Sequence, residues 1–212
     1  MPKILFRPCF PRPIVIKTLS GSKRSPGKEK FLIKKLFALM LALIALFSFA
    51  VAETAAETVA LNWKDAEALI DTSLGEFVQI GSQPFAIWSP DPIEWEAAPA
   101  EDNMLEGYIL TGEDSDGTPF QIAIGVMDAT VFTRERVDAY IQPIETVTGY
   151  EKNLVNGMDA VSYTDETEAG PKGYVVIWAN NSVVIMMTAA PFASDSIKLL
   201  FSVMAMSVQP IE

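Results

Sequence analysis

The chain has 212 residues, and 16 Lys or Arg against 27 Asp or Glu give a formal net charge of −11 at pH 7. Residues 1–52 carry ten cations and one acid, or +9, whereas residues 53–212 carry six cations and 26 acids, or −20. The sequence has no His, and its one Cys is Cys9. Residues 53–212 therefore cannot hold a disulfide, a Cys/His zinc site or a catalytic thiol or imidazole.

The basic N-terminal part predicts an export signal. All ten of its cations lie within residues 1–35, and the apolar run 36–51 follows them directly. This run suits the hydrophobic region of a signal peptide and is shorter than the ~18–20 residues usual for a spanning helix. Ala50 and Ala52 are small residues at the positions that favour cleavage before Glu53. We therefore predict a secreted, extracytoplasmic protein with a signal peptide over 1–52.

Two alternatives to a cleaved leader remain open. An uncleaved leader would anchor the chain through residues 36–52, and the cations before the run would still place residues 53–212 outside the membrane. A lipid anchor is not expected, because Cys9 precedes the apolar run. The proline-containing first 27 residues are long for a signal peptide, which favours a translation start later than Met1.

The first half of the exported part predicts one helix followed by four strands. Residues 53–61 are predicted as a linker, and residues 62–212 as a single domain. Asn62 is a suitable N-cap for a helix over 63–71. Short runs of β-forming residues then alternate with turn sequences. The predicted strands are 76–80, 85–88, 104–111 and 118–127, with an acidic surface loop at 89–103.

The second half predicts a helix, two hairpins and a last helix. Thr133 is a suitable N-cap for a helix over 134–142, which extends to 147 if Pro143 only kinks it. The Asn-Gly pair at 156–157 is a strong hairpin signal. Ser194 is the predicted N-cap of the last helix, whose apolar residues recur with helical period. The strands are predicted at 150–155, 158–164, 173–179 and 182–188, and the last two, apolar on both faces, are predicted to be central.

This order predicts an α+β fold, in which helices pack on the faces of one mostly antiparallel sheet as an αβα sandwich. Gly75, the strand entering Pro90, the turn at 156–157 and a last helix ending at 206–208 occur in an order that resembles the PsbP-like fold. That superfamily includes photosystem II extrinsic subunits, the Mog family and DcrB-like envelope proteins. The chain is also similar to small secreted proteins of Gram-positive anaerobes. The resemblance covers residues 62–209 and implies a binding or assembly role without transferable catalytic residues.

The acidic loop carries the first candidate binding site, made of Trp88, Asp91, Glu94 and Trp95. The face of an indole suits sugars or cationic groups. The alternative is that Trp88 ends a core strand and Trp95 pins the loop to the sheet. We favour this alternative, because burying an indole is strongly favourable.

The turn at 112–117 carries a candidate metal site, made of Glu113, Asp114 and Asp116. Three carboxylates in four residues could bind a hard cation such as Ca²⁺. The alternative is a hairpin turn whose acids face water, which we favour because turns select Asp and Gly regardless of function. No cofactor is predicted.

Carboxylates near the second Asn-Gly strand are the candidates for acid–base chemistry. Asp159 and Asp165, with Glu166 and Glu168, could form the paired carboxylates of a small hydrolase. Clustered acids at a turn are usually solvated, so no catalytic residue is assigned.

Methionines near the C-terminus could form an adaptable binding surface or a soft-metal site. They are Met186, Met187, Met204 and Met206. We favour core positions for them, because their strand and helix are apolar and Met readily fills gaps in a core.

The sequence as a whole predicts an exported, monomeric, non-catalytic binding or envelope-associated module. Its partner would be an unidentified protein or small molecule outside the membrane. A charge of −20 repels nucleic acid and anionic lipid, so membrane contact is expected only through an uncleaved leader. The alternatives are Ca²⁺ binding through the acidic loops and a carboxylate-dependent hydrolase.

Overall fold

A computed structural model describes residues 58–68, 70–91, 93–100, 103–114 and 116–211. The predicted signal peptide, its cleavage site and its possible use as an anchor lie outside these residues and stay predictions. Within the described ranges, no helix is both long enough and apolar enough to cross a membrane.

Strands dominate the described part of the chain. The helices are α1 (Trp63–Glu67), α2 (Arg134–Ile141) and α3 (Asp195–Ser207), with one 3-10 turn at Thr72–Leu74. The strands are β1 (Val59–Leu61), β2 (Gly75–Gln79), β3 (Phe85–Pro90), β4 (Glu94–Ala98), β5 (Met104–Glu113), β6 (Pro119–Asp128), β7 (Val147–Val155), β8 (Met158–Thr167), β9 (Gly170–Trp178), β10 (Val183–Ala190) and β11 (Gln209–Pro210).

The strands form one large and one small sheet. The large sheet has eight strands in the order β1-β7-β8-β9-β10-β6-β5-β4, and the small sheet has three in the order β11-β3-β2. Neighbouring strands are antiparallel except β1 and β7, which are parallel. The large sheet is therefore mixed, and β9 and β10 are central in it, as their apolar sequences predicted.

The two faces of the large sheet bury different side chains, because successive residues of a strand point to opposite faces. On the face that we call inner, Ile177, Ile185 and Met187 share the main core with Ile87 of the small sheet and Phe201 of α3. On the opposite, outer face, smaller apolar clusters form under α2. The main core thus lies between the large sheet, the small sheet and α3.

The predicted αβα sandwich is wrong. Strands account for 52% of the structure and helices for 19%, and the architecture is not helices packed on the faces of a sheet. In the large sheet, two strands lie where the sequence predicted none: β4 falls in the predicted loop 89–103, and β1 falls in the predicted linker 53–61. Both are edge strands with exposed residues, so neither shows the buried alternation by which strands are recognised.

Two of the helices are shorter than predicted. The first ends at Glu67 instead of residue 71, and the second ends at Ile141, two residues before Pro143. Proline lacks an N–H and restricts the residue before it, so it ends this helix instead of kinking it.

Three predicted local signals are confirmed. The Thr133 side chain accepts a hydrogen bond from the N–H of Arg136, and the Ser194 side chain accepts one from the N–H of Ile197. Asn156 and its following glycine have φ values of 47° and 80°, as a tight hairpin turn requires. These signals depend on neighbours in sequence, which explains why they could be predicted without the fold.

The N-terminus of α1 is not capped in the way that the sequence predicted. Asn62 occupies the N-cap position, but its side chain makes no capping hydrogen bond. The N–H of Trp63 instead donates to Oδ1 of Asn156, at 2.7 Å. The helix is therefore capped by a residue of a distant hairpin, which local sequence could not reveal.

Candidate functional site

The structure separates the two tryptophans of the predicted loop site. Trp88 lies on β3 of the small sheet, is 6% exposed and packs against Trp63, with 6.2 Å between the ring centroids. Trp95 lies on β4 of the large sheet and donates its indole N–H to Ser89 Oγ at 3.0 Å. Because Ser89 follows Trp88 on one strand, the two rings lie on opposite sides of that strand.

The carboxylates of that predicted site differ from its tryptophans in exposure. Asp91 and Glu94 are exposed, whereas the Trp88 ring is buried and the Trp95 ring is half-buried, 5.7 Å from the ring of Tyr108. The positions of the two rings favour the alternative interpretation, in which they pack against the sheets.

The predicted metal turn uses its central carboxylate to hold the backbone. Asp114 Oδ1 accepts hydrogen bonds from the N–H groups of Asp116 and Thr118, both at 2.9 Å. Partial burial raises the pKa of Asp114, but these bonds outweigh it and hold that pKa below its ordinary value. Glu113 and Asp116 are exposed. Over the described ranges, no group of three or more acidic, His or Cys residues is arranged to hold a metal ion.

The two aspartates proposed for acid–base chemistry are far apart. Asp159 and Asp165 lie six residues apart on β8, which corresponds to about 20 Å along a strand. Glycosidase carboxylates lie about 5–10 Å apart. Asp159 pairs with Arg134, and Asp165 accepts a hydrogen bond from Thr146 at 2.6 Å. Asp159 and Asp165 therefore have different neighbours and do not form a carboxylate pair.

A groove beside α2 brings together the charged side chains that the sequence did not group. We call it the α2 groove; it lies on the outer face, between α2 and the strands β7, β8 and β9. Its lining contains two cations, two acids and an indole: Arg134, Lys152, Asp138, Asp159 and Trp178. These residues come from four elements, so only the pairing of the strands places them around one groove.

Arg134 is one of the two cations that line the α2 groove. Its guanidinium lies 5.5 Å from the centroid of the Trp178 ring and forms an ion pair with Asp159. The Trp178 indole N–H donates to the carbonyl of Phe132 at 2.7 Å, which fixes the orientation of the ring. The side chains of Arg134 and Asp159 remain 48% and 43% exposed, so both can reach a ligand.

Lys152 and Asp138 form the second charged pair of the groove. The Lys152 ammonium lies 2.7 Å from Asp138 Oδ2, and the Tyr150 hydroxyl donates to the other oxygen. Partial burial raises the pKa of Asp138, but the bonds from Lys152 and Tyr150 outweigh it and hold that pKa below its ordinary value. Burial first, and then the Asp138 carboxylate, raise the pKa of Tyr150. Asp138 is therefore ionised and Tyr150 protonated at neutral pH.

Helical spacing was the sequence signal for part of this groove. Arg134 and Asp138 are four residues apart, which places them on one side of α2. Nothing local indicated that Lys152 and Asp159 of the following hairpin would face them.

Glu106 is another carboxylate that the sequence did not single out. It accepts hydrogen bonds from the Ser82 hydroxyl and N–H, from Gln83 Nε2 at 2.9 Å and from the Tyr108 hydroxyl at 2.7 Å. The bonds from Ser82, then Tyr108 and Gln83, lower the pKa of Glu106 to about 2. Gly81 has a φ of 56°, and a Cβ there would collide with Glu106 and Tyr108. Glu106 thus clamps the β2–β3 turn onto β5.

Comparisons with known proteins add little to this description. No family model matches the chain, and no curated protein matches it. One similar solved structure is that of a Pseudomonas aeruginosa protein of unknown function, with 14% identity and a TM-score of 0.28. The match covers 56% of this chain and 84% of that one. A likeness this weak supports no argument, and the PsbP-like resemblance receives no support from these comparisons.

Proposed function

We propose that the protein is an exported, non-catalytic binding module that holds a zwitterionic ligand, such as a short peptide, in the α2 groove. The export half of this proposal rests on the basic leader and the apolar run that follows it. The binding half rests on the groove.

The observation that carries the binding half is the placement of two scarce cations. Residues 53–212 have six Lys or Arg against 26 acids, yet Arg134 and Lys152 line the same groove. Both remain about half exposed, at 48% and 54%, and each faces one carboxylate. Guanidinium and ammonium groups bind a carboxylate, and carboxylates bind an ammonium group. A groove with both signs therefore fits a ligand that carries both charges.

The shifted pKa values support a non-catalytic role. General acid–base catalysis at neutral pH uses groups whose pKa lies near that pH, such as a carboxyl group with a raised value. Among the described residues, every Asp or Glu with a resolved shift has a lowered pKa, namely Glu106, Asp114, Asp128, Glu135 and Asp138. Every Tyr with a resolved shift there has a raised one. These shifts move the pKa values of all of these groups further from neutral pH.

The binding half is tested by NMR titration of the purified protein with a panel of amino acids and short peptides. The indole N–H signal of Trp178 is the reporter, because this ring lies under the Arg134 guanidinium. We expect at least one peptide to shift this signal, and Arg134→Gln to remove the shift. Arg136→Gln is the matched control, because Arg136 lies two residues further along α2, is exposed and donates to the carbonyl of Val131. No shift with any peptide, or equal loss in both variants, would contradict the proposal.

The export half is tested by fractionation of cells that express the full chain. We expect the protein outside the cytoplasmic membrane, with Glu53 as its first residue if the leader is cleaved. Recovery in the cytosol with an intact leader would refute export and leave the groove titration unaffected.

A further inference from the structure

Three methionines lie together on the outer face of the large sheet, although they are far apart in the sequence. Met104 is on β5, Met127 on β6 and Met186 on β10, and these three strands are neighbours in the sheet. Met104 is directly opposite Met127 in the register, and Met186 is opposite Gly125, two residues from Met127. All three side chains belong to one apolar cluster.

This grouping differs from the one that the sequence predicted. Met187, Met204 and Met206 are buried, at 0%, 0% and 6% exposure, as expected for core residues. Met186 points the other way, because it precedes Met187 on the same strand. Met187 therefore faces the main core, whereas Met186 lies on the outer face of the large sheet with Met104 and Met127.

A pair of glycines lies beneath the side chains of Met104 and Met127. Gly107 and Gly125 are opposite each other on β5 and β6. A Cβ at Gly107 would lie 2.8 Å from Met104 Sδ, and one at Gly125 would lie 3.3 Å from Met104 Cε. The Met104 side chain thus lies over both glycines. A side chain at either glycine position would occupy the same space.

A second thioether reaches the same place. The Sδ of Met127 lies 3.5 Å from the point where a Gly125 Cβ would stand, which is also 3.3 Å from Met104 Cε. The Met104 methyl group and the Met127 sulfur therefore meet over Gly125, and the backbone carbonyl oxygen of Met186 lies 4.0 Å from the same point. Met127 is 5% exposed, whereas Met104 and Met186 are only partly buried. Solvent can reach the edge of this cluster.

The domain offers no softer donor than these sulfurs. Residues 53–212 contain neither Cys nor His, so thioethers are the side chains there with the greatest preference for soft cations. Thioether ligands select Cu(I) over the hard divalent ions that carboxylates prefer. Three methionine side chains from neighbouring strands, on one face of the sheet, match the low coordination number of such ions.

We propose that Met104, Met127 and Met186 form a binding site for a soft monovalent metal ion, Cu(I) or Ag(I). The glycine pair provides the room in which the side chains turn their sulfurs toward one ion. The competing interpretation is that the three side chains only fill an apolar cluster, for which Met is also well suited. The two interpretations differ in what happens when Ag(I) is added.

Silver titration of the protein labelled with ¹³C at the methionine methyl groups tests the proposal. The full chain carries Cys9→Ser, so that the one thiol cannot compete for the ion. One equivalent of Ag(I), which needs no reductant, should shift the methyl signals of Met104, Met127 and Met186. The Met187 methyl signal, from the opposite face of the same strand, should not move.

Two leucine variants complete the test, because Leu keeps the volume of Met but has no sulfur. Met186→Leu should weaken Ag(I) binding, measured by calorimetry, by about tenfold or more, as expected when a metal site is disturbed. Met187→Leu is the matched control, and its affinity for Ag(I) should stay within about twofold of that of the protein with Met187. Thermal unfolding confirms that each variant is folded. No shift at the three methyl groups, or equal affinity in the two variants, would overturn the proposal.

Discussion

Asn156 joins three segments that are distant in the sequence, and Asn156→Gly should destabilise the fold markedly. Its Oδ1 accepts the hydrogen bond from the N–H of Trp63 at 2.7 Å. Its Nδ2 donates to the carbonyls of Met206 and Val208, both at 2.8 Å. One side chain therefore caps the start of α1 and satisfies carbonyl groups at the end of α3.

The size of the effect follows from these three bonds. Each is worth about 1 kcal/mol net, and an unpaired buried partner costs about 1–3 kcal/mol. The site is partly buried, so water can satisfy some of the released groups. We expect a loss of about 2–3 kcal/mol in the free energy of unfolding. For a domain of this size that corresponds to a fall of about 4–12 °C in Tm.

The choice of glycine isolates the side chain from the backbone. Asn156 has a φ of 47°, where a larger residue such as Ala would add strain, whereas Gly adopts this conformation readily. Urea unfolding followed by tryptophan fluorescence measures the change directly, since Trp63 and Trp88 lie in the cluster that Asn156 supports.

Asn103→Gly is the matched control, because Asn103 also has a positive φ, 66°, but its side chain is exposed. We expect this control to change the free energy of unfolding by no more than about 0.5 kcal/mol. A loss below about 0.5 kcal/mol in Asn156→Gly itself would refute the reasoning, because surface substitutions without such bonds give changes of that size.

Three further changes test other parts of the structure. The folded state lowers the pKa of Glu106 to about 2 from 4.5, so its carboxylate stabilises the fold above pH 4.5 and this contribution is lost as the pH falls toward 2. Glu106→Gln should therefore show a shallower loss of stability over that pH range in urea unfolding, and an unchanged slope would count against the clamp. Gly173→Ala should lower stability by about 1–3 kcal/mol, since its Cβ would lie 2.6 Å from the Phe192 ring, and an unchanged thermal midpoint would show that the ring moves freely. Tyr150→Phe should raise the pKa of Asp138, measured by NMR titration of its side-chain carbon, and a constant pKa would remove Tyr150 as a cause.

The elements that local sequence predicted best are those whose signals lie within a few residues. Thr133 and Ser194 cap their helices through bonds to backbone groups three residues away. The turn at 156–157 needs positive φ at two adjacent positions, and Asn-Gly is the pair that adopts it most readily. Neither prediction required knowledge of the rest of the fold.

The fold class could not be predicted in the same way. Two edge strands, Val59–Leu61 and Glu94–Ala98, expose much of their surface, so their sequences resemble a linker and a loop. They are strands because a neighbouring strand supplies their hydrogen-bond partners, β7 for the first and β5 for the second. Strand pairing between distant segments is set by the assembled sheet, and local propensity is a weak guide to it.

The candidate sites also divide into those whose residues are close in sequence and those that only the fold brings together. The sequence predicted the Trp88 and Trp95 loop and the acidic turn around Asp114 as possible sites, because their residues are close in the chain. The α2 groove and the methionine cluster instead combine residues from separate strands, such as Lys152 with Asp159 and Met104 with Met186.

By itself, the sequence determined the charge division, the turns, the caps of α2 and α3, and the apolar character of the central strands. These depend on composition and on contacts between close neighbours. Only the tertiary structure decided which carboxylate meets which cation, which face carries Met186, and that Asn156 caps a helix 93 residues away. The physical reason is that the assembled sheet sets the strand register and the side-chain alternation, and these two together determine which distant side chains are in contact.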